Sequence, residues 1–345
     1  MADKLAIGID IGGTKIAAGV VDEDGRILAR LKRETPTTEP LAVIDAIAEI
    51  TEEFRREHHI IAVGIGAAGF VDATQSTVLF APHLAWRNEP LRDSVARRTG
   101  LPVMVDNDAN ASGWAEWRFG AAQGEADLVL ITLGTGIGGA IVIDGQPYRG
   151  KFGIAGEFGH MQVVPDGRQC ECGNHGCWEQ YASGRVLTRR GRAAAADGTE
   201  FGKAMLADAG GDIERIEGSF VTRYADEGNA EAIEWIADVG DWLGVGIANL
   251  AAALDPGMFV IGGGVSDAGD LLIEPAKAAY SRTLTGRGYR AEARIARAHL
   301  GPEAGLIGAA DMARLTARRR RPANPSARAR ARAAAKPGRS PLRRK

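Results

Sequence analysis

At 345 residues the chain is long enough for two domains of about 100–200 residues each. Its 45% apolar and 25% charged content is that of an ordinary globular protein, which excludes a disordered chain, a collagen-like repeat and a coiled coil. The net charge of −2 hides an asymmetry: Arg318–Lys345 holds twelve Lys or Arg and no acid, leaving 30 bases against 44 acids elsewhere, so the folded body is not expected to bind nucleic acid.

Reading from the N-terminus, MADKLAIGID has an acid at position 3 and enters an apolar run at once, which is not a signal peptide's layout. Leu5–Ile9, Ile16–Val21 and Arg26–Leu31 predict three strands, and the Gly-Gly-Thr and Asp-Gly turns between them predict an antiparallel meander. Leu41–Arg56 has helical spacing, Ile60–Ile65 reads as a buried strand, Arg92–Thr99 as a short helix and Pro102–Val105 as a strand. The opening plan then recurs as strand Leu128–Leu133, glycine turn Gly134-Thr135-Gly136-Ile137-Gly138-Gly139, strand Ala140–Ile143 and turn Asp144-Gly145. This internal duplication predicts two related lobes facing each other.

A helix from about Ala230 to Leu254 is stopped by Asp255-Pro256-Gly257; strand Met258–Ile261 then enters Gly262-Gly263-Gly264, and helical patterns resume at Leu271–Leu284 and Glu303–Thr316. Beyond Ala317 the apolar content is mostly alanine, too little to offset ordering entropy, so a disordered basic tail is expected, either a solvated spacer or a binder of acidic partners. Leu128–Ile143 is uncharged but carries four glycines and falls short of the roughly 18–20 apolar residues of a membrane span, so no membrane partner is expected and the cytoplasm is the expected location.

Glycine turns are the first chemical signal. Glycine lets backbone N–H groups converge on an anion, and Thr adds a hydroxyl. Gly12, Gly13 and Thr14, with Lys15 adding positive charge, make one such turn; Gly134, Thr135 and Gly136 make a second, and Gly262, Gly263 and Gly264 a third. Any one could be a plain hairpin, but three together point to a nucleotide cleft, where Asp10 at its strand end could meet a phosphate-bound Mg²⁺ directly or through water. Neither a Walker A motif nor a strand–helix dinucleotide fingerprint is present.

The second signal is Val103-Met104-Val105-Asp106-Asn107-Asp108-Ala109-Asn110, a buried strand ending abruptly in polar residues. A carboxylate there is placed to take a proton from a substrate hydroxyl, and phosphoryl transfer needs little more than positioning, a metal and such an acceptor. Alternation does not separate Asp106 from Asp108, and the same residues could equally be an N-cap cluster opening a helix.

The third signal is Gly156-Glu157-Phe158-Gly159-His160 followed by Cys170, Cys172, His175, Cys177 and Glu179. Three thiolates and an imidazole make the closed Cys₃His set of structural zinc, with His160 or His175 as the fourth ligand, and such a site would aim Glu157 and Glu179 at sugar hydroxyls. His58, His59, His83 and His299 read as surface or packing residues, and Trp114, Trp117 and Phe119 as core.

At these residues the sequence resembles the ROK family of bacterial sugar kinases and related repressors, in the actin/hexokinase-like superfamily, over residues 4–316. The resemblance rests on Asp10-Ile11-Gly12-Gly13-Thr14-Lys15, on Leu133–Gly139, and above all on Glu157-Phe158-Gly159-His160 with Cys170-x-Cys172-x₄-Cys177-x-Glu179. It implies a two-lobed α/β, actin/hexokinase-like (ribonuclease H-like) fold with an interlobe active-site cleft. Residues 1–110 would form a small lobe to which helix 303–316 returns, residues 111–302 a larger lobe with the zinc loop, and 317–345 a tail outside the family pattern.

The same resemblance implies transfer of the ATP γ-phosphoryl to the 6-hydroxyl of glucose, with Asp108, rather than Asp106, as the base. Asn107, Asp108, Glu157, His160 and Glu179 would bind the sugar, His160, Cys170, Cys172 and Cys177 would hold zinc, and Gly262–Gly264 would lie beside the adenosine. ATP, Mg²⁺ and structural Zn²⁺ are the implied cofactors, glucose the implied partner, and a homodimer or homotetramer the implied assembly. The chain departs from the pattern at Gly66-Ala67-Ala68-Gly69, which lacks the proline many members carry before the last glycine, and at Gly139-Ala140, where a third glycine is usual.

Another hexose or an N-acetyl-hexosamine, or polyphosphate as donor, are alternatives within the same chemistry. A sugar-responsive regulator is the alternative outside it. Repressors of the family carry a winged helix-turn-helix ahead of the kinase-like body, whereas about four residues precede the first strand here, so the kinase is expected.

Overall fold

The computed structural model describes residues 4–36, 39–82 and 84–320. The expected meander is formed by β1 (Leu5–Ile11), β2 (Lys15–Val21) and β3 (Ile27–Glu34). Next come α1 (Pro40–Arg55), β4 (Ile60–Ala67), and three short strands, β5 (Phe70–Val71), β6 (Val78–Phe80) and β7 (Arg87–Glu89), which make a small antiparallel sheet of their own. Then follow α2 (Leu91–Thr99), β8 (Val103–Asn107) and α3 (Asp108–Phe119). A second meander, β9 (Leu128–Leu133), β10 (Ile137–Ile143) and β11 (Gln146–Pro147), leads through the zinc-loop residues to α4 (Gly184–Asp197), α5 (Glu200–Asp208), α6 (Gly218–Asp226) and α7 (Ala230–Leu254). The chain closes with β12 (Met258–Gly262), α8 (Asp270–Thr283), β13 (Arg294–Arg297) and α9 (Ala304–Arg320).

The two large sheets follow one plan. Their orders are β3-β2-β1-β4-β8 and β11-β10-β9-β12-β13, and in each an antiparallel meander is extended by two strands parallel to its first. The duplication read from the glycine turns is thus a duplication of topology. Helices cover both faces of the first sheet, α1 and α2 on one side and α3 and α9 on the other, which is why β1 and β4 read as continuous apolar runs.

α9 lies directly on the first sheet. A Cβ on Gly8 would stand 1.9 Å from the Leu306 carbonyl oxygen and one on Gly64 1.8 Å from that of Ala309, so glycine at both positions lets the helix seat. The helix runs to Arg320, four residues past its expected end, and the rest of the expected tail, 321–345, lies outside the described residues, as does His83. Trp114 and Trp117 pack together with ring centroids 4.8 Å apart, Trp114 donating to Asp311 of α9, so both belong to the core as expected.

The second glycine turn is shorter than the sequence reading has it. β10 starts at Ile137, so Gly138 and Gly139 are strand residues rather than turn residues. Gly139 is needed for packing: a Cβ there would meet the Phe158 ring at 2.2 Å and the Gly156 carbonyl at 2.6 Å. Among the described residues no helix is long and apolar enough to cross a membrane.

Candidate active site

β8 stops at Asn107, and Asp108 is the first residue of α3. The capping role weighed for this segment falls to Asn107, whose Oδ1 accepts from the N–H groups of Ala109 (2.9 Å) and Asn110 (3.1 Å) while Nδ2 donates to the Gly69 carbonyl (3.1 Å). Because the strand ends between them, alternation does not put Asp106 and Asp108 in equivalent positions. Asp106 is buried; its Oδ1 accepts from Asn107 N (2.9 Å) and Asn110 Nδ2 (3.1 Å), its Oδ2 from Gln75 Nε2 (2.8 Å) and from Arg149 Nε (2.8 Å) and Nη2 (2.5 Å). Those five donors make Asp106 an anchor of the fold, and Asp108 is the member of the pair that keeps company with other carboxylates.

Register explains that company. Asp10 of β1, Gly66 of β4 and Asp106 of β8 lie in one row across the sheet, and a Cβ on Gly66 would stand 3.5 Å from Asp108 Cα. The start of α9 closes the other side, where a Cβ on Gly305 would lie 3.5 Å from Asp10 Oδ2. Burial pushes Asp10 up to about 7, the charge of Asp108 adds to the rise and Lys15 opposes it. Glu157 is likewise pushed up to about 7 by burial, then by Asp108 and Glu179. Burial also raises Asp108, against hydrogen bonds from backbone N–H groups and Asn107. A cleft with four neighbouring carboxylates attracts cations and hydroxyl donors and repels a bare polyanion.

The zinc-type residues converge. The ligand atoms of His160, Cys170, Cys172 and Cys177 all lie within 4.8 Å of one another, with His160 Nδ1 3.7 Å from Cys170 Sγ and Cys172 Sγ 3.6 Å from Cys177 Sγ. Thiolates bound at about 2.3 Å to one tetrahedral zinc stand roughly 3.7 Å apart, so the donor set and its spacing fit that ion. His175 is exposed and outside the cluster, so His160 is the histidine that joins the three thiols. Gly173 and Gly176 take φ of 94° and 73°, and a Cβ on Gly176 would meet the Val164 carbonyl at 1.7 Å. Glu179 is held beside the cluster, its Oε1 3.2 Å from Cys170 Sγ and 4.0 Å from His160 Nδ1.

The glycine turns have distinct structural roles. In the first, Gly12 N donates to the Lys15 carbonyl (3.0 Å) and Thr35 Oγ1 to that of Gly12 (2.9 Å). In the second, the Gly134 carbonyl accepts from Gly184 N at the start of α4 (2.9 Å). The third adjoins the second: a Cβ on Gly263, whose φ is 83°, would meet the Leu133 carbonyl at 2.5 Å. Around Gly134 and Gly264 no atom lies within 4 Å of a Cβ position, so these faces are open. Gly136 does something the sequence did not reveal, since a Cβ there would stand 2.4 Å from Glu179 Oε2 and deny that carboxylate its place. Arg149 was also missed; the signal available was a buried-strand aspartate, Asp106, with no nearby base to pair it.

Residues 6–315 match the family model described as ROK family. The chain belongs to the ROK family. It is 51% identical over 310 residues to the glucokinase of Streptomyces coelicolor, covering 90% of this chain and 98% of that one. Among solved structures it is similar to a ROK family glucokinase from Streptomyces griseus in complex with glucose and AMPPNP, at 50% identity and a TM-score of 0.82, covering 90% of this chain and 99% of the other. It is also similar to a ROK family transcriptional regulator homologous to the Escherichia coli MLC protein, at 26% identity and a TM-score of 0.80, covering 91% and 78%. The two mixed five-stranded sheets are those of the two-domain, actin-like α/β fold of ROK glucokinases.

Proposed function

We propose that this ROK protein is an ATP-dependent glucokinase, which transfers the γ-phosphoryl of ATP to the 6-hydroxyl of glucose and releases glucose 6-phosphate and ADP. The observation that carries this reading is the placement of Asp108, which opens α3 against Gly66 of β4, beside the row of the sheet that holds Asp10. Half of the sequence is shared, over nine-tenths of the chain, with a Streptomyces glucokinase.

In this reading Asp108 takes the proton of the 6-hydroxyl as that oxygen attacks the γ-phosphorus and the bond to the ADP oxygen breaks. Burial raises its pKa and makes it a stronger acceptor than an exposed aspartate. Glu157, Glu179, His160 and Asn107 receive and orient the other hydroxyls, His160 through Nε2 because Nδ1 faces the thiols. The turns at Gly12–Lys15, Gly134–Gly136 and Gly262–Gly264 offer N–H groups to ATP. Mg²⁺ supplies charge neutralisation for the phosphates, and Asp10 is the carboxylate that would meet it, directly or through water.

His160, Cys170, Cys172 and Cys177 would hold zinc as a closed four-ligand set, whose part would be to fix the loop that presents Glu179. Three such thiols keep their ligand character in a reducing compartment, which supports a cytoplasmic enzyme. The lobes are taken as 1–110 and 111–302, and the assembly as a homodimer or homotetramer, which light scattering of the purified protein measures. The activity is tested by following glucose 6-phosphate and ADP with Mg-ATP and glucose, beside fructose, N-acetylmannosamine and polyphosphate. Turnover on glucose with ATP is the expected result, and turnover confined to another sugar or donor would reassign the substrate.

A further inference from the structure

Arg149 follows β11, the edge strand of the second sheet, yet its guanidinium grips the first. Nε and Nη2 both donate to Asp106 Oδ2, at 2.8 and 2.5 Å, and Nη2 lies 3.9 Å from Met312 Sδ of α9. Asp106 is 1% exposed and Arg149 18%. Exposed ion pairs contribute little, but breaking this one strands a carboxylate inside the protein.

The anchor has a special address. Asp106 stands two residues before Asp108, and its Oδ1 holds Asn107 N and Asn110 Nδ2, on either side of Asp108 at the opening of α3. The backbone of Arg149 does the matching job across the cleft, its carbonyl accepting from Ala155 N (3.1 Å) and closing the loop that leads through Gly156 to Glu157. One residue therefore secures Asp108 by its side chain and Glu157 by its backbone.

We propose that Arg149 is a positioning residue for phosphoryl transfer, a strut that sets the distance between Asp108 and Glu157 across the lobes. The proposal rests on the reading of Asp108 as the base. Another tie across those bounds does not involve it: Asp311 of α9 accepts from Trp114 and Arg118 of α3.

The test compares Arg149→Ala, Arg149→Gln, Arg149→Lys and Asp108→Asn with the parent, varying glucose and ATP separately and recording the melting of each. Arg149→Ala is expected to fold, to lose about 100-fold in kcat, the scale of an ångström of misplacement, and to raise the KM for glucose but not for ATP. Arg149→Lys, which keeps the charge but not the two-nitrogen grip, should fall between, and guanidinium below denaturing concentration should restore part of the turnover of Arg149→Ala where equal sodium chloride does not. Arg149→Gln, still able to donate to Asp106, carries the kinetic comparison should Arg149→Ala not fold. Folded variants with the parent's kcat and glucose KM would overturn the proposal, as would a loss that only tracks the melted fraction. Asp108→Asn separates the two readings: full turnover in that variant removes the base assignment itself, whereas an inert Asp108→Asn beside unimpaired Arg149 variants removes only the strut.

Discussion

Asp10, the next-to-last residue of β1, lies within the field of Asp108, the residue that opens α3, so the end of one strand and the start of a helix beyond its second neighbour form one electrostatic unit. Burial, and then the charge of Asp108, push Asp10 up to about 7. A carboxyl raised in this way favours the fold fully below its unfolded pKa, and the contribution is lost as pH rises through the folded value.

Asp10→Asn should therefore stabilise the ligand-free protein above pH 7, by roughly 2 kcal/mol once residual solvent access is allowed for, and give no gain below pH 4. The same variant should lose turnover with Mg-ATP. Melting curves of the two proteins from pH 4 to 8 check the first part; parallel curves would show that Asp10 ionises as freely in the fold as outside it.

Gly136→Ala places a methyl where Glu179 Oε2 now lies, 2.4 Å from the new carbon. Glu179 is buried and has little room to move. We expect the KM for glucose to rise about tenfold or more, equivalent to ~1.4 kcal/mol, together with a loss of stability of about 1–3 kcal/mol from overpacking. A glucose KM equal to the parent's would mean that Glu179 has no part in holding the sugar.

The metal loop gives a stoichiometric expectation. The purified protein should contain one zinc per chain, and Cys172→Ala should lose it and either raise the glucose KM or unfold the loop, because Glu179 sits against Cys170 and His160. Elemental analysis beside kinetics reads both. Unchanged metal content and kinetics in Cys172→Ala would remove zinc from the account.

Much of the fold was legible because β1, β4, β8, β9 and β12 are buried on both faces and spell continuous apolar runs. The strands that escaped notice, β5, β6, β7, β11 and β13, have two to four residues, too few for any periodicity to register. α4 escaped as well; its buried face is Val186, Leu187, Gly191, Ala194 and Ala195, of which only the first two are large apolar residues. At the site, the thiol spacing was readable because metal geometry is local. Telling Asp106 from Asp108 depended on the Asn107 cap and on Arg149, whose partner is 43 residues away, and residue spacing carries no trace of such a pairing.

The central claim is that Asp108 is the base of a glucose-phosphorylating reaction. The direct measurement is ADP and glucose 6-phosphate release by the parent and Asp108→Asn, both with Mg-ATP and saturating glucose, after glucose binding to each has been confirmed by calorimetry. Rapid, equimolar formation of both products is expected from the parent, and a loss of about 100- to 10,000-fold in Asp108→Asn with glucose still bound. Parent-like turnover by Asp108→Asn would contradict it.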